Sequence, residues 1–320
     1  MRFTFIALFL GAALAACQVR DVQQAGSPSA NADTFDPQAW RPPEESEIPD
    51  DSLGASIRRG LALVKYTSDS LPGYAPGNIT CGNCHLNAGR NLDAMPLTGS
   101  HARFPKYLGR TGAVIGLADR VNYCFTRSLA GSKLPVESRE MQDILTYLAW
   151  LSRGIPVGEG HRMPGAEGLP KMPEGLSGEV ARGEQVYVAK CAACHQLDGA
   201  GTDIINPPVP ALWGSKSFSV GASMTRHSKS ASFIWHNMPW GLGKTLTHQE
   251  AFDVAAYISS RPRLDSPGKE NDWPMGGAPA DVPYATQGHT AFAPPPLLRR
   301  PRPATAIVDA PRRAAGGSRQ

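Results

Sequence analysis

At 320 residues with 41% hydrophobic side chains, the chain is long enough to bury a sizeable core, and it favours two small domains over one large one. Its formal net charge of +4 is too small and too scattered to predict nucleic-acid binding, which requires a concentrated basic surface. The 29 prolines and 33 glycines are many for this length and predict that much of the fold is loop.

The N-terminus predicts an export signal and a lipid anchor. An apolar run at positions 3–16 is too short to span a membrane but matches the core of a signal peptide. Leu14-Ala-Ala-Cys17 resembles a bacterial lipobox, which predicts removal of residues 1–16 and acylation of Cys17. The alternative is ordinary cleavage at one of these alanines. Gln18 favours sorting to the outer membrane, so we expect a lipid-anchored protein in the periplasm of a Gram-negative bacterium.

A polar stretch without periodicity, residues 17–52, predicts a tether ahead of a first domain at 53–154. Cys81-Gly-Asn-Cys84-His85 organises that domain. Two cysteines at this spacing add across the vinyl groups of a porphyrin and the next histidine faces the iron, so the run predicts a covalent haem c. Hydrophobic periodicity predicts helices at 56–66, 116–125 and 137–152.

The second half repeats this plan after a linker rich in Pro and Gly at 155–176. A helix with Ser177 as its N-cap is expected to run into Cys191-Ala-Ala-Cys194-His195, the second haem attachment motif. Further helices are expected at 230–237 and 247–259.

These elements predict an all-α fold of two cytochrome c-like domains related by internal duplication, each with one covalent haem c. The second domain is expected at 177–263. Extended, loop-rich segments flank the pair: residues 264–298 retain aromatic anchors and predict a segment that wraps the domains. Residues 299–320 predict a disordered tail.

The sixth ligand of the second iron is expected to be a methionine. Met238 lies 43 residues after His195 and just before the last helix, where a small cytochrome c places its methionine. A thioether stabilises reduced iron and raises its potential, which suits electron transfer. Met224 is the alternative.

The first domain has no methionine at the matching place. Cys124 lies 39 residues after His85, in the position that the ligand occupies. It is the cysteine left over after four are assigned to haem and one to lipid. A thiolate is a competent ligand that stabilises ferric iron, whereas the alternative is an inert buried cysteine.

At this point the residues carry a family resemblance. Arg120-Val-Asn-Tyr-Cys124-Phe-Thr-Arg127-Ser128-Leu-Ala-Gly131, together with Phe104-Pro-Lys-Tyr107, Phe233-Ile234 and Asn237-Met238-Pro239, resembles the thiosulfate dehydrogenase family of dihaem cytochromes. The resemblance implies a catalytic first haem ligated by His85 and Cys124. It also implies a relay haem ligated by His195 and Met238, since Asn237 occupies the position where some members have a ligand lysine.

The implied reaction joins two thiosulfate ions into tetrathionate with release of two electrons, possible in either direction. Because thiosulfate is a dianion, its binding needs positive charge, and Arg110, Arg120 and Arg127 are candidates with Ser128 as a donor. We assign Arg110 to the substrate and Arg120 first to structure; solvated charge or pairing with haem propionate are the alternatives for each.

Cys124 either tunes the iron or leaves it and carries a sulfane adduct that the second thiosulfate attacks. Electrons are expected to pass to the second haem and on to a soluble cytochrome or a terminal oxidase.

Two departures from the family, Leu108 for an expected arginine and Ala130 for an expected asparagine, affect the substrate pocket.

Two other functions are compatible with the same motifs. One is a dihaem electron carrier without its own substrate, and the other is a relative that conjugates thiosulfate to a carrier cysteine. Cys124 with its arginines distinguishes the enzyme from the carrier, because a carrier requires neither.

Overall fold

A computed structural model describes residues 35–166, 168–205 and 207–300. The predicted signal peptide, the lipid anchor at Cys17 and nearly all of the predicted tail lie outside the described residues. Among the helices that the described ranges contain, none is long and apolar enough to cross a membrane.

The first half consists of helices joined by long loops and one small hairpin. Strands β1 (Lys106–Leu108) and β2 (Ala113–Ile115) pair antiparallel. The helices are α1 (Ser52–Lys65), α2 (Thr67–Ser70), α3 (Cys81–Cys84), α4 (Ser100–Arg103), α5 (Leu117–Arg127) and α6 (Arg139–Trp150).

The second half has the same order of a long helix, a short helix at the cysteine motif, loops and two closing helices. These helices are α7 (Val180–Lys190), α8 (Ala192–His195), α9 (His227–Asn237) and α10 (His248–Ser259). Strand β3 (Arg263–Leu264) pairs parallel with β4 (Leu297–Leu298) at its end. The prediction of a helical fold in which the second half repeats the plan of the first is confirmed, with only short strands added.

The start of α7 differs from the prediction that Ser177 is its N-cap. Glu179 is the N-cap residue, and its carboxylate accepts hydrogen bonds from the backbone N–H groups of Ala181 (3.0 Å) and Arg182 (3.1 Å). The carbonyl of Ser177 instead accepts a bond from the side chain of Gln249. The predicted N-cap is wrong because the carboxylate reaches the unpaired N–H groups of the first turn.

A crossing of the first and last helices holds the first half together. Gly60 on α1 lies against the backbone of α6, where a Cβ would overlap the carbonyl oxygen of Asp143. Beside it, Arg59 donates two hydrogen bonds to the carboxylate of Asp143, at 2.7 and 2.8 Å. Burial opposes the charge of Asp143, but Arg59 and Ser56 hold the pKa of this carboxyl below its usual value.

The second half repeats this crossing residue for residue. Gly183 on α7 lies against Asp253 on α10, and the neighbouring Arg182 donates to the Asp253 carboxylate at 2.8 and 2.9 Å. An Arg-Gly pair on one helix and an aspartate on its partner therefore recur in both domains. This repeated contact is the structural evidence for the predicted duplication.

Both crossings give a direct stability prediction. Gly60→Ala and Gly183→Ala are each expected to lower the free energy of unfolding by about 1–3 kcal/mol, because the added methyl forces the two backbones apart. Gly73→Ala is the matched control, since a Cβ there meets no atom within 4 Å. Urea unfolding of the three variants checks the prediction, and equal losses in all three would contradict it.

Residues 35–52 differ from the predicted tether, because they pack on the first domain. Trp40 Nε1 donates to the backbone carbonyl of Arg153 at 3.1 Å, and Ile48 is buried in the core. Glu45 pairs with Lys65 at 2.7 Å and also with Arg90. The acidic stretch that gave no periodic signal is thus ordered by basic side chains from distant parts of the first domain.

Candidate functional site

The first cysteine motif lies on α3 and its following turn. Thr67 Oγ1 donates a hydrogen bond to Cys81 Sγ at 3.2 Å. His85 Nδ1 is hydrogen-bonded to the backbone carbonyl of Met95, so Nε2 is the ring nitrogen left to ligate iron. Burial lowers the pKa of His85 to about 4, so the imidazole is neutral, as an iron ligand requires. Cys81 and Cys84 form no disulfide. These residues fit a covalent haem c.

The second motif has the same arrangement. His195 Nδ1 lies 3.1 Å from the carbonyl oxygen of Pro210, and burial lowers the pKa of this histidine. Cys191 and Cys194 are likewise unpaired. In both halves a backbone carbonyl fixes the ring and directs the other nitrogen away, which is the usual orientation of an axial histidine. The second site therefore also fits a covalent haem c.

Cys124 lies in the same site as the first motif. It is on α5, and Arg120, one turn earlier, donates from Nη1 to Cys124 Sγ at 2.8 Å. Burial raises the pKa of both Cys81 and Cys84, and the nearby Cys124 raises them further. The structure thus brings the predicted sixth ligand and a cation to the first haem site.

Both methionines considered for the second iron lie at the junction of the halves. We define the junction cluster by its buried residues, Leu86, Ala94, Leu169, Phe218, Ala222, Met224 and Phe233. Met238, at the end of α9, packs against this cluster as Cys84 does, and also against the core of the second half. The neighbouring Asn237 donates to the carbonyl of Asp93 at 3.0 Å, so its amide joins the two halves.

The predicted substrate residues line one pocket of about 120 Å³. Its lining consists of Leu108, Arg110, Arg120, Tyr123, Arg127, Ser128 and Ser223. Three guanidinium groups therefore face one small cavity, and the thiol of Cys124 is hydrogen-bonded to one of them. Leu108, at a position where we expected arginine, adds an apolar wall.

Sequence reasoning missed the carboxylate that organises this pocket. Asp272 has 2% of its side chain exposed, and it pairs with Arg110 at 3.0 Å and with Arg127. The hydroxyls of Tyr123 and Tyr284 donate to it at 3.0 and 2.7 Å. One anion thus holds two cations and two phenols. No motif marks Asp272, because it lies in a polar, proline-rich segment far along the chain.

Arg110 and Arg120 have different kinds of partner in the pocket. Arg110 is tied to Asp272, to the Gly221 carbonyl at 2.7 Å and to Tyr284. Burial opposes its charge, yet Tyr284 and Asp272 keep the pKa of Arg110 above its usual value. Arg120 instead contacts the Cys124 thiol, and the described residues supply it with no ion-paired carboxylate. Arg110 is therefore held by a carboxylate, whereas Arg120 lies against the thiol, and the roles of both arginines towards a substrate stay predictions.

Family models match both halves of the chain. Residues 74–157 match "SoxA/TsdA, cytochrome c domain" and residues 180–262 match "Cytochrome c". The chain is 38% identical over 242 residues to a thiosulfate dehydrogenase of Psychrobacter arcticus, covering 75% of this chain and 73% of the relative. It is 38% identical over 230 residues to the enzyme of Allochromatium vinosum, covering 69% and 83%.

A solved structure has the same fold. The "as isolated" form of the thiosulfate dehydrogenase TsdBA from Marichromatium purpuratum superposes with a TM-score of 0.69 at 29% identity. The match covers 81% of this chain and 57% of that chain, so this chain spans little more than half of the solved one.

Proposed function

Because the chain belongs to the thiosulfate dehydrogenase family of dihaem c-type cytochromes, as its sequence predicted, we propose that it oxidises thiosulfate to tetrathionate at the pocket beside Cys124. Two thiosulfate dianions lose one electron each and join through a new sulfur–sulfur bond. The observation that carries the proposal is the 2.8 Å contact of Arg120 with Cys124 in a pocket lined by two more arginines.

The haem groups are assigned to the residues of the two motifs. Cys81 and Cys84 hold the first haem with His85 and Cys124 as the proposed ligands. Cys191 and Cys194 hold the second, with His195 and Met238 as its proposed ligands. When bound, the two haems supply acceptors for one electron each. We propose a soluble cytochrome or a terminal oxidase as the next acceptor.

The three arginines of the pocket have different roles in anion binding. Asp272 offsets part of the charge of Arg110 and Arg127 and fixes their positions. Arg120 donates to the thiol and has no carboxylate partner among the described residues, so a thiosulfate dianion beside it gains charge-assisted hydrogen bonds. Ser128, at the same pocket, adds a hydroxyl donor. This arrangement attracts dianions to the sulfur of Cys124 and offsets their mutual repulsion.

Arg120 gives the first prediction on activity. Arg120→Gln is expected to lower kcat/KM for thiosulfate by about ten- to a hundredfold, because a hydrogen bond to a charged group contributes about 1.5–3 kcal/mol. Arg120→Lys, which keeps the charge, is expected to lose less. The control is Arg139→Gln on α6, whose side chain is 70% exposed. Equal kinetics for Arg120→Gln and the control would contradict the assignment.

The activity itself is tested by steady-state turnover. Purified holoprotein is mixed with thiosulfate and ferricyanide, and tetrathionate is quantified. The proposal expects one tetrathionate for two thiosulfate ions and two ferricyanide ions reduced. A protein with both haems reducible by dithionite that forms no tetrathionate would be an electron carrier, and a product in which thiosulfate is attached to a cysteine would identify the conjugating relative.

We also propose, from the sequence, that the protein is exported to the periplasm and anchored to the outer membrane by a lipid on Cys17. Metabolic labelling with radioactive palmitate tests this anchor. Label is expected in the wild type and not in Cys17→Ser. An unlabelled wild type would instead support ordinary cleavage of the signal peptide.

A further inference from the structure

Arg263 is a cation inside the protein without a counter-charge. It lies on β3 with 0% of its surface exposed. Nη2 donates to the carbonyl of Ile258 at 2.7 Å, whereas Nε and Nη1 are buried without a partner in the described part of the chain. Arg90, the other buried arginine of the described residues, pairs with Glu45, and the partly buried Arg110 and Arg127 pair with Asp272.

Burial of a charged guanidinium such as that of Arg263 opposes folding. A lone ion removed from water carries a penalty of several kcal/mol unless an opposite charge and hydrogen bonds offset it. Burial alone lowers the pKa of Arg263 to about 9, and no carboxylate among the described residues acts against it. Nε and Nη1 lie on opposite sides of the guanidinium and both lack an acceptor, so this side chain points to an anion that is not a side chain of the described residues.

The position of Arg263 indicates which anion this is. Its guanidinium lies 4.2 Å from the ring centroid of Phe218, a member of the junction cluster. Cys84 of the first haem motif and Met238, the proposed ligand of the second, both pack against that cluster. A haem attached at that motif, or ligated by that methionine, would bring carboxylates of another kind to the cluster, its propionates.

We propose that Arg263 binds a haem propionate at the junction of the two halves and is the buried counter-charge of that carboxylate. The elements that hold the guanidinium belong to the second half: Ile258 is in α10, and the preceding Pro262 accepts from the backbone N–H of Gly214 at 2.8 Å. The propionate that Arg263 would bind is therefore assigned to the second haem. This inference depends on haem binding and not on the thiosulfate activity.

The contact between Arg263 and the propionate affects the reduction potential of the haem. A cation beside the propionate favours the reduced iron, so its removal lowers the reduction potential of that haem. Arg263→Met is expected to shift the one-electron equilibrium of one haem about tenfold towards the oxidised form, or about 59 mV. Arg263→Lys keeps the charge without the fork and is expected to shift it less.

Redox titration of the purified dihaem protein, followed by its visible spectrum, tests the inference. Arg139→Met is the control, because it removes a mostly exposed arginine. A shift confined to the second haem, or to the first, supports the counter-charge and identifies which propionate it serves. Unchanged potentials in an Arg263→Met protein that carries two covalent haems would overturn it.

A second measurement serves if Arg263→Met does not accumulate. Resonance Raman spectra of the wild type and Arg263→Lys report the propionate bending modes, which respond to hydrogen bonding. A changed band for one haem in Arg263→Lys supports the contact. Identical propionate bands in the two proteins would overturn it whatever the stability of the methionine variant.

Discussion

Cys124→Gly is expected to reduce kcat for thiosulfate oxidation by about a thousandfold or more, while both haems stay covalently attached. The loss is large because the substitution removes the sulfur at which the pocket concentrates anions, and removal of a central reacting group typically has effects of this size. Attachment persists because it depends on Cys81, Cys84 and the second motif.

The comparison variant for Cys124 is Thr126→Ala, on the same helix. Its hydroxyl donates to the backbone carbonyls of Asn122 at 3.2 Å and Tyr123 at 3.5 Å, and Thr126 does not line the pocket. Haem content, turnover and the EPR spectrum of the ferric protein are measured for both. We expect the spectrum of one haem to change in Cys124→Gly and neither to change in Thr126→Ala. A Cys124→Gly protein with more than a tenth of wild-type turnover would exclude the cysteine from catalysis.

Asp272→Asn is expected to lower the free energy of unfolding by about 3–5 kcal/mol. Removing one partner of a buried ion pair leaves an uncompensated charge, and here Arg110 and Arg127 would both lose their anion. Tyr123 and Tyr284 lose their acceptor as well. Because the two arginines would no longer be held in position, kcat/KM for thiosulfate is expected to fall with stability.

Denaturant unfolding and a double-mutant cycle check this prediction. Asp50→Asn is the control, since Asp50 is fully exposed and solvent screens its pair with Arg58 at 3.7 Å. The loss from Asp272→Asn is expected to be smaller when Arg127 has already been replaced by Met, because one stranded cation is then absent. A single variant as stable as Asp50→Asn would show that the network does not hold this pocket.

Whether a feature can be predicted from the sequence depends on how close together its residues lie along the chain. The haem motifs and the long helices are encoded within a dozen residues, and they were predicted. The pairing of Arg120 with Cys124 was also within reach, because residues four apart on a helix face each other. Asp272 was not, since nothing in a polar segment indicates that its carboxylate will be buried beside Arg110 in a distant part of the chain.

Packing decided the other differences. Residues 35–52 have no periodicity of their own, and their order comes from contacts with Arg90 and Arg153 in the first domain. Arg263 follows the last helix and resembles any solvated loop arginine in the sequence. Only the fold shows that it is enclosed, with no carboxylate partner in the described part of the chain.

The central claim is that thiosulfate delivers its electrons to this protein at Cys124, and a single-turnover experiment tests it most directly. Fully oxidised wild type and Cys124→Gly are each mixed with thiosulfate without oxygen or any other acceptor. The visible spectrum and the tetrathionate formed are then recorded. We predict two reduced haems and one tetrathionate per wild-type molecule, and neither in the variant. Wild-type haems that dithionite reduces but thiosulfate does not would contradict the claim.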